Sequence, residues 1–144
     1  MTDNILQEAE REYSITEMRA EFGLTARALR FYEARKLLTP QRRGRARIYS
    51  QQDRTRLELI VRGKRYGFTL NEIKDMLDLY DREDGQLSYM QAVLPKLQSQ
   101  LHALRKDRDD LIEAIASLTQ VCQSVAETLA QQQDAANVRS RRTA

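Results

Sequence analysis

Apolar residues recur at helical spacing along most of this 144-residue chain, in short stretches that open with capping residues. The first stretch begins at "SITE", residues 14–17, where the Ser hydroxyl and the Glu carboxylate can each bond a free amide of the first helical turn. Thr25 can cap a second helix over about residues 26–35. Two short helices joined through a glycine indicate either a helix-turn-helix or an ordinary helical hairpin.

The pattern then changes to an alternation over residues 45–49, just after Gly44, which predicts a short strand and a wing-like hairpin. Two further capped helices follow, one from Ser50 to about Tyr66 and one opening at "TLNE", residues 69–72. Only 5 Gly and 2 Pro interrupt the chain, so helices should dominate. We therefore predict a mainly α fold.

From Leu94 onwards, apolar positions repeat at spacings of three and four over about five heptads, to Leu129. This 3.5-residue period is typical of a coiled coil, the alternative being one amphipathic helix packed on its own domain. A rod of this length exceeds the small preceding domain, so the seam should pair with a second copy. Pro95 fits the first turn of such a helix. The residues predicted to form the dimer seam are Leu97, Leu101, Leu104, Arg108, Leu111, Ile115 and Leu118.

These patterns divide the chain into five segments. We expect a flexible N-terminal extension, a domain of short capped helices with a wing, a linker, a dimerisation helix and a flexible tail. The corresponding ranges are 1–13, 14–82, 83–93, 94–129 and 130–144.

Charge is concentrated in one strip. Residues 24–50 hold eight Arg or Lys residues and a single acid, Glu33, although the net charge of the chain is only +3. A basic strip on a short capped helix and a wing indicates binding to double-stranded DNA, with helix arginines at base edges and wing arginines at phosphates. A solvated charge run and RNA binding are the alternatives, but the clustered exposed aromatics that stack on single-stranded bases are lacking.

Other chemistries find little support in the sequence. One Cys and one His provide neither a disulfide framework nor a zinc cluster, so we expect no metal and no cofactor. No nucleophile–base pair or phosphate loop indicates an enzyme. The chain has no run of about 18 apolar residues, which argues against a membrane protein and for the cytoplasm.

"ALRFYEARKLL", "RARIYS" and "RYGFTLNEIK", in this order, resemble the MerR family of bacterial transcription regulators. The resemblance implies a winged helix-turn-helix domain, followed by a long helix that pairs antiparallel with that of a second copy. It also implies binding to an inverted repeat in a promoter and distortion of the DNA that realigns the promoter for RNA polymerase. Ala46 departs from the bulky residue often found at this position of the wing. From the strip and the resemblance together, the expected DNA contacts are Thr25, Arg27, Arg30, Tyr32, Arg43, Arg45, Arg47, Tyr49 and Lys64.

The effector is unknown from sequence. Only a short polar tail follows residue 129, so we expect no large ligand domain. Cys122 lies at a seam position, where it is either a packing residue or a redox sensor. Within the family, the chain is most similar to short regulators of leucine, isovalerate and related acyl-CoA catabolism. A non-specific DNA-architectural coiled-coil protein would share the basic strip and the heptads, and it remains the competing hypothesis.

Overall fold

The computed structural model describes residues 11–82 and 85–143, which form two units, one ending at Gln100 and one beginning at Leu101. The mainly helical class, with a helix-turn-helix, a wing and a long C-terminal helix, is confirmed. In chain order, the elements are β1 (Tyr13–Ser14), α1 (Ile15–Phe22), α2 (Ala26–Ala34), β2 (Gln41–Arg43), β3 (Ala46–Tyr49), α3 (Gln51–Arg65), α4 (Leu70–Tyr80) and α5 (Gly85–Thr143).

The helix-turn-helix is built from the caps that the sequence predicts. The amide of Glu17 donates to Ser14 Oγ at 3.1 Å, and the Glu17 carboxylate accepts from the Ser14 amide, which completes a capping box on α1. Gly23 ends α1 with a φ of 64°, in the left-handed region that favours glycine. Thr25 Oγ1 then accepts from the Ala28 amide and starts α2. This turn leaves one face of α2 free of α1.

A three-stranded sheet of order β1-β3-β2 forms the wing and its root. All pairs are antiparallel, with Tyr13 opposite Tyr49 and Arg42 opposite Arg47. Tyr13 is buried within this arrangement, so it belongs to the domain and not to the extension predicted over residues 1–13. Residues 1–10 of that extension lie outside the described residues.

The core of the first unit lies where α1, α2, α3, α4 and the root of the wing meet. Asp53 is buried with both carboxylate oxygens bonded, one to the Thr39 amide at 3.0 Å and one to the Ser50 amide at 3.2 Å. It thereby ties the segment after α2 to the start of α3. The largest fully buried side chains are Tyr49, Met18, Leu29, Leu37, Leu38, Leu57, Ile60, Ile73 and Leu77.

A buried arginine joins α3 to the end of α4. Arg56 donates from Nε to the Leu37 carbonyl at 2.8 Å, and its guanidinium also pairs with Asp81. A buried guanidinium is tolerated only when such partners satisfy its donors. Arg56 therefore fixes the end of α4 against the segment that follows α2.

Helix α5 is longer than the sequence analysis predicted. It begins at Gly85, so the linker predicted over residues 83–93 is wrong from residue 85 onwards, and Pro95 lies inside the helix and not in its first turn. Leu87 and Met90 continue the three-and-four spacing upstream of Leu94, which is a signal for this earlier start. The tail predicted as flexible is helical to Thr143, since it is rich in the helix formers Ala, Gln and Arg.

The second unit consists of α5 from Leu101 onwards, and its side chains are exposed in this single chain. Leu104, Leu111, Ile115 and Leu118 are between 41% and 64% exposed. Arg108, also at the seam, bonds the neighbouring Asp109 at 2.9 Å. Among the described residues, no helix has an apolar stretch that could cross a membrane.

Candidate nucleic-acid interface

Helix α2 divides into a buried face and a charged face. Leu29 and Tyr32 are buried in the core, whereas Arg27 and Arg30, one turn apart, are exposed. Neither arginine has a carboxylate partner among residues 11–82 and 85–143. Both guanidinium groups are thus available to donate hydrogen bonds to acceptors on a ligand, such as the atoms of base edges or phosphates.

The wing carries a second exposed basic group. Gly44, with a φ of 61°, turns the chain between β2 and β3, and Arg45 follows at the tip. Arg43 forms a two-pronged pair with Glu12, at 2.7 and 2.5 Å, but both side chains are about half exposed. Exposed pairs contribute only about 0–1 kcal/mol, so phosphate could replace Glu12 at little cost.

Arg47 connects the wing to helix α2. Its Nε donates to Glu33 Oε2 at 2.7 Å, and both side chains are only 20–26% exposed. This pair fixes the wing at a defined position relative to α2. Glu33 is the single acid of the basic strip, and its pairing with Arg47 was not predicted from the sequence. The pair also means that a phosphate contact by Arg47 would compete with Glu33.

The tyrosines of the strip are core residues. Tyr49 is 0% exposed, and its hydroxyl is buried without a hydrogen-bond partner in the described structure. Burial raises the pKa of Tyr49, and the Glu33 carboxylate adds to the rise. The predicted phosphate contact by the Tyr49 hydroxyl is therefore wrong for this conformation, since no ligand atom can reach it. Tyr32 is 5% exposed and also packs mainly in the core.

The remaining predicted contacts lie at the ends of helices. Thr25 is exposed and caps α2, so its hydroxyl has a structural role whether or not it meets DNA. Lys64 is exposed in the last turn of α3, beside the exposed Arg65.

Phe31 is an exposed aromatic residue of α2 that is not among the DNA contacts predicted from the sequence. It is 48% exposed on α2, with the Arg35 guanidinium 5.8 Å from its ring centroid. An aromatic residue between two exposed arginine positions is the signal that would have indicated it.

The described part of the chain holds a free thiol but no cluster of metal ligands. No group of three or more His, Cys, Asp or Glu side chains is placed to hold a metal ion there. Cys122 is exposed on α5.

The arrangement of α1, α2 and the β2–β3 hairpin defines a winged helix-turn-helix protein. A family model described as "MerR HTH family regulatory protein" matches residues 13–80, and one described as "MerR, DNA binding" matches residues 54–121. Together these matches cover more than half of the chain, which therefore belongs to the MerR family.

Curated relatives agree with this assignment, and a solved structure has the same fold. The mercuric resistance operon regulatory protein of Bacillus cereus is 36% identical over 77 residues, which cover 52% of this chain and 58% of that protein. The HTH-type transcriptional activator mta of Bacillus subtilis is 32% identical over 118 residues, 79% of this chain and 42% of that protein. The chain thus spans about half the length of these relatives. A crystal structure of a MerR-family transcriptional regulator from Bacillus cereus has the same fold, with a TM-score of 0.60 at 24% identity, covering 74% of this chain and 76% of that chain.

Proposed function

We propose that the protein is a sequence-specific transcription regulator that binds an inverted repeat in promoter DNA as a homodimer. The observation that carries the proposal is the pair Arg27 and Arg30, exposed on α2 without carboxylate partners among the described residues. Guanidinium groups one turn apart on a helix of this width suit the guanine edges of the major groove. Membership of a family of DNA-binding regulators supports the same assignment, and no catalytic role is part of it.

The wing and the second helix pair supply the contacts that position the domain. Arg43 and Arg45 on the wing, and Lys64 at the end of α3, are exposed cations that can neutralise phosphates. Such contacts fix the register of a protein on the duplex but do not read its sequence. The Arg47–Glu33 pair would hold wing and α2 at a constant spacing while both bind.

The dimer is inferred from α5. Its apolar side chains at three-and-four spacing are largely exposed in one chain, and so regular a seam is stabilised when a second copy covers it. Arg108 would then meet a carboxylate across the seam, which sets register more than stability. An antiparallel pair of such helices would separate two copies of α2 and suit them to two half-sites.

Two finer parts of the proposal rest on the sequence resemblance. The first is that the protein acts in the cytoplasm and distorts the promoter so that RNA polymerase can use it. The second is that its target genes belong to branched-chain acyl-CoA catabolism. Indirect readout of DNA deformability supplies the physical mechanism for the first.

Selection of bound sequences from a random duplex library, followed by footprinting, tests the proposal. We expect enrichment of an inverted repeat and a footprint symmetric about its centre. Binding without any enriched sequence would instead establish the non-specific architectural protein.

Cys122 offers a separate test of the redox alternative. Cys122→Ser should leave operator affinity and the response to oxidants unchanged, because an alcohol of similar size fills the same place in the seam. Operator titrations with and without hydrogen peroxide measure this. Peroxide that weakens binding of the native chain but not of the folded Cys122→Ser variant would identify the thiol as a sensor.

A further inference from the structure

The first unit contains an apolar cavity that the DNA-binding role does not use. It has a volume of about 180 Å³ and lies between α3, α4 and the first turns of α5. Arg27, Arg30 and the wing residues are not part of its lining. The wall is formed mainly by Leu59, Gly63, Phe68, Ile73, Met76 and Val93, and Leu97 of the predicted dimer seam lies at it as well.

The surrounding helices are held in place by specific contacts, so the cavity is a built feature. At Gly63 the backbone of α3 approaches α4 so closely that an added Cβ would lie 2.8 Å from Ile73 Cγ1. On the other side, Gln100 Nε2 donates to the Tyr66 carbonyl at 2.6 Å. The Tyr80 and Tyr89 rings meet edge to face at 5.3 Å.

The size of the cavity limits its ligand to a single ring or a short branched chain. A dry cavity of about 150 Å³ lined by aliphatic and aromatic side chains is enough to bind benzene. A ligand of this size would recover dispersion contacts that the wall otherwise lacks. Larger multi-ring compounds would extend out of the cavity into solvent.

Of the three described residues in the wall with polar side-chain groups, Arg62, Tyr66 and Tyr89, two are placed to select the charge of the ligand. Among the described residues that line the cavity, Arg62 is the only charged one and none is acidic. Its present partner is Glu58, at 2.9 Å in an exposed pair that a competing carboxylate can replace. Tyr89 also lines the cavity, and its phenol, which is protonated at neutral pH, can donate a hydrogen bond.

We propose that this cavity binds a small monocarboxylate with a ring-sized apolar body. The apolar part occupies the space beside Phe68 and Met76, and the carboxylate accepts from Arg62 and Tyr89. This geometry is that of a small-molecule site, in which a mostly apolar wall carries a few convergent polar groups.

Such a ligand would act on the DNA-binding surface through α3. Arg62 is two residues before Lys64, which is a proposed phosphate contact, so a change in the packing of α3 would move that contact. A ligand changes the affinity for DNA only if it binds the DNA-bound and the DNA-free arrangement of α3 with different affinities. This regulatory step rests on the proposed function, whereas binding to the cavity does not.

The test uses the full chain without DNA, with benzoate as the probe and benzyl alcohol as its neutral counterpart. Saturable changes in amide NMR shifts should appear at Phe68, Ile73 and Tyr89. Arg62→Gln should weaken benzoate binding about tenfold, because a charged hydrogen bond is lost, and leave benzyl alcohol binding unchanged. Arg65→Gln, which removes the same charge outside the wall, is the matched control, and Leu59→Trp should abolish binding of both compounds by filling the space.

Failure of benzoate to bind the folded native chain would overturn the proposal, and this is the result expected if a second copy occupies the cavity. Equal weakening by Arg62→Gln and Arg65→Gln would overturn the carboxylate assignment. In a second arm, benzoate should change the affinity for a selected inverted repeat by at least about threefold in the native chain and not in Leu59→Trp. An unchanged affinity despite benzoate binding would overturn the regulatory step alone, and absence of any sequence-specific binding would instead be a failure of the proposed function.

Discussion

Tyr49 carries a polar hydroxyl group on a ring that is 0% exposed. It is the last residue of β3, and its ring belongs to the core. Its hydroxyl has no partner there among the described residues. A buried hydroxyl without a hydrogen bond destabilises the fold by about 1–3 kcal/mol.

Tyr49→Phe should therefore raise the free energy of unfolding, by about 1 kcal/mol, because it removes the unpaired hydroxyl and keeps the ring. Urea denaturation measures the change, and operator titration should show the same affinity as the native chain. A clear loss of affinity in this variant would mean that the hydroxyl becomes a phosphate contact after a rearrangement on DNA.

The same residue makes stability depend on pH. Because burial raises the pKa of Tyr49 in the folded state, the unfolded chain loses this proton first as the pH rises above about 10. The part of the free energy of unfolding that depends on the titration of Tyr49 is complete below that pH, and it is lost as the pH rises through the folded-state pKa. Unfolding free energies measured between pH 8 and 11 should fall less steeply for Tyr49→Phe than for the native chain; parallel curves would contradict this account.

Gly63 decides how closely α3 and α4 pack. Gly63→Ala should destabilise the fold by about 1–3 kcal/mol despite the better helix propensity of Ala, because the new methyl group overlaps Ile73. The matched background is Ile73→Ala, in which the overlapping atoms are gone. Urea denaturation of the native chain, the two single variants and the double variant gives the four free energies of unfolding. Gly63→Ala should lower the free energy of unfolding less in the Ile73→Ala background than in the native chain, and an equal loss would argue against the packing explanation.

At the scale of elements, the short helices were predictable because their caps are local. Ser14, Thr25, Ser50 and Thr69 each bond the amide three residues on, and no distant residue is needed for that. Pro95 does not mark the start of α5, because a proline that suits a first helical turn lies inside the helix here. The Arg47–Glu33 and Arg56–Asp81 pairs are contacts between elements, and spacing along the sequence does not reveal which elements meet.

The seam on α5 carries the prediction for the dimer. Leu104→Asp together with Leu111→Asp should give a monomer, because association would bury unpaired carboxylates. The matched control is Ser99→Asp with Gln120→Asp, which adds the same charge at exposed positions off the seam. Sedimentation of both double variants provides the measurement. A dimer that persists in the leucine variant would show that the seam is not the interface.

At the scale of the whole molecule, basic residues on α2 and on the wing should contribute to DNA binding in different ways. Arg30 is exposed on α2 without a carboxylate partner in the described structure, and it should read base edges. Arg45, at the tip of the wing, should only neutralise phosphate. It isolates that contribution better than Arg47, whose removal would also leave Glu33 unpaired.

The most direct measurement titrates the native chain, Arg30→Ala and Arg45→Ala onto a selected inverted repeat and a scrambled duplex at several salt concentrations. Arg30→Ala should lose about 1–3 kcal/mol on the repeat and little on the scrambled duplex. Arg45→Ala should weaken binding to both and lower the slope of log affinity against log salt by about one. If Arg30→Ala weakened binding to both duplexes equally, α2 would be an electrostatic clamp and not a reader of sequence, which would contradict the proposed regulator.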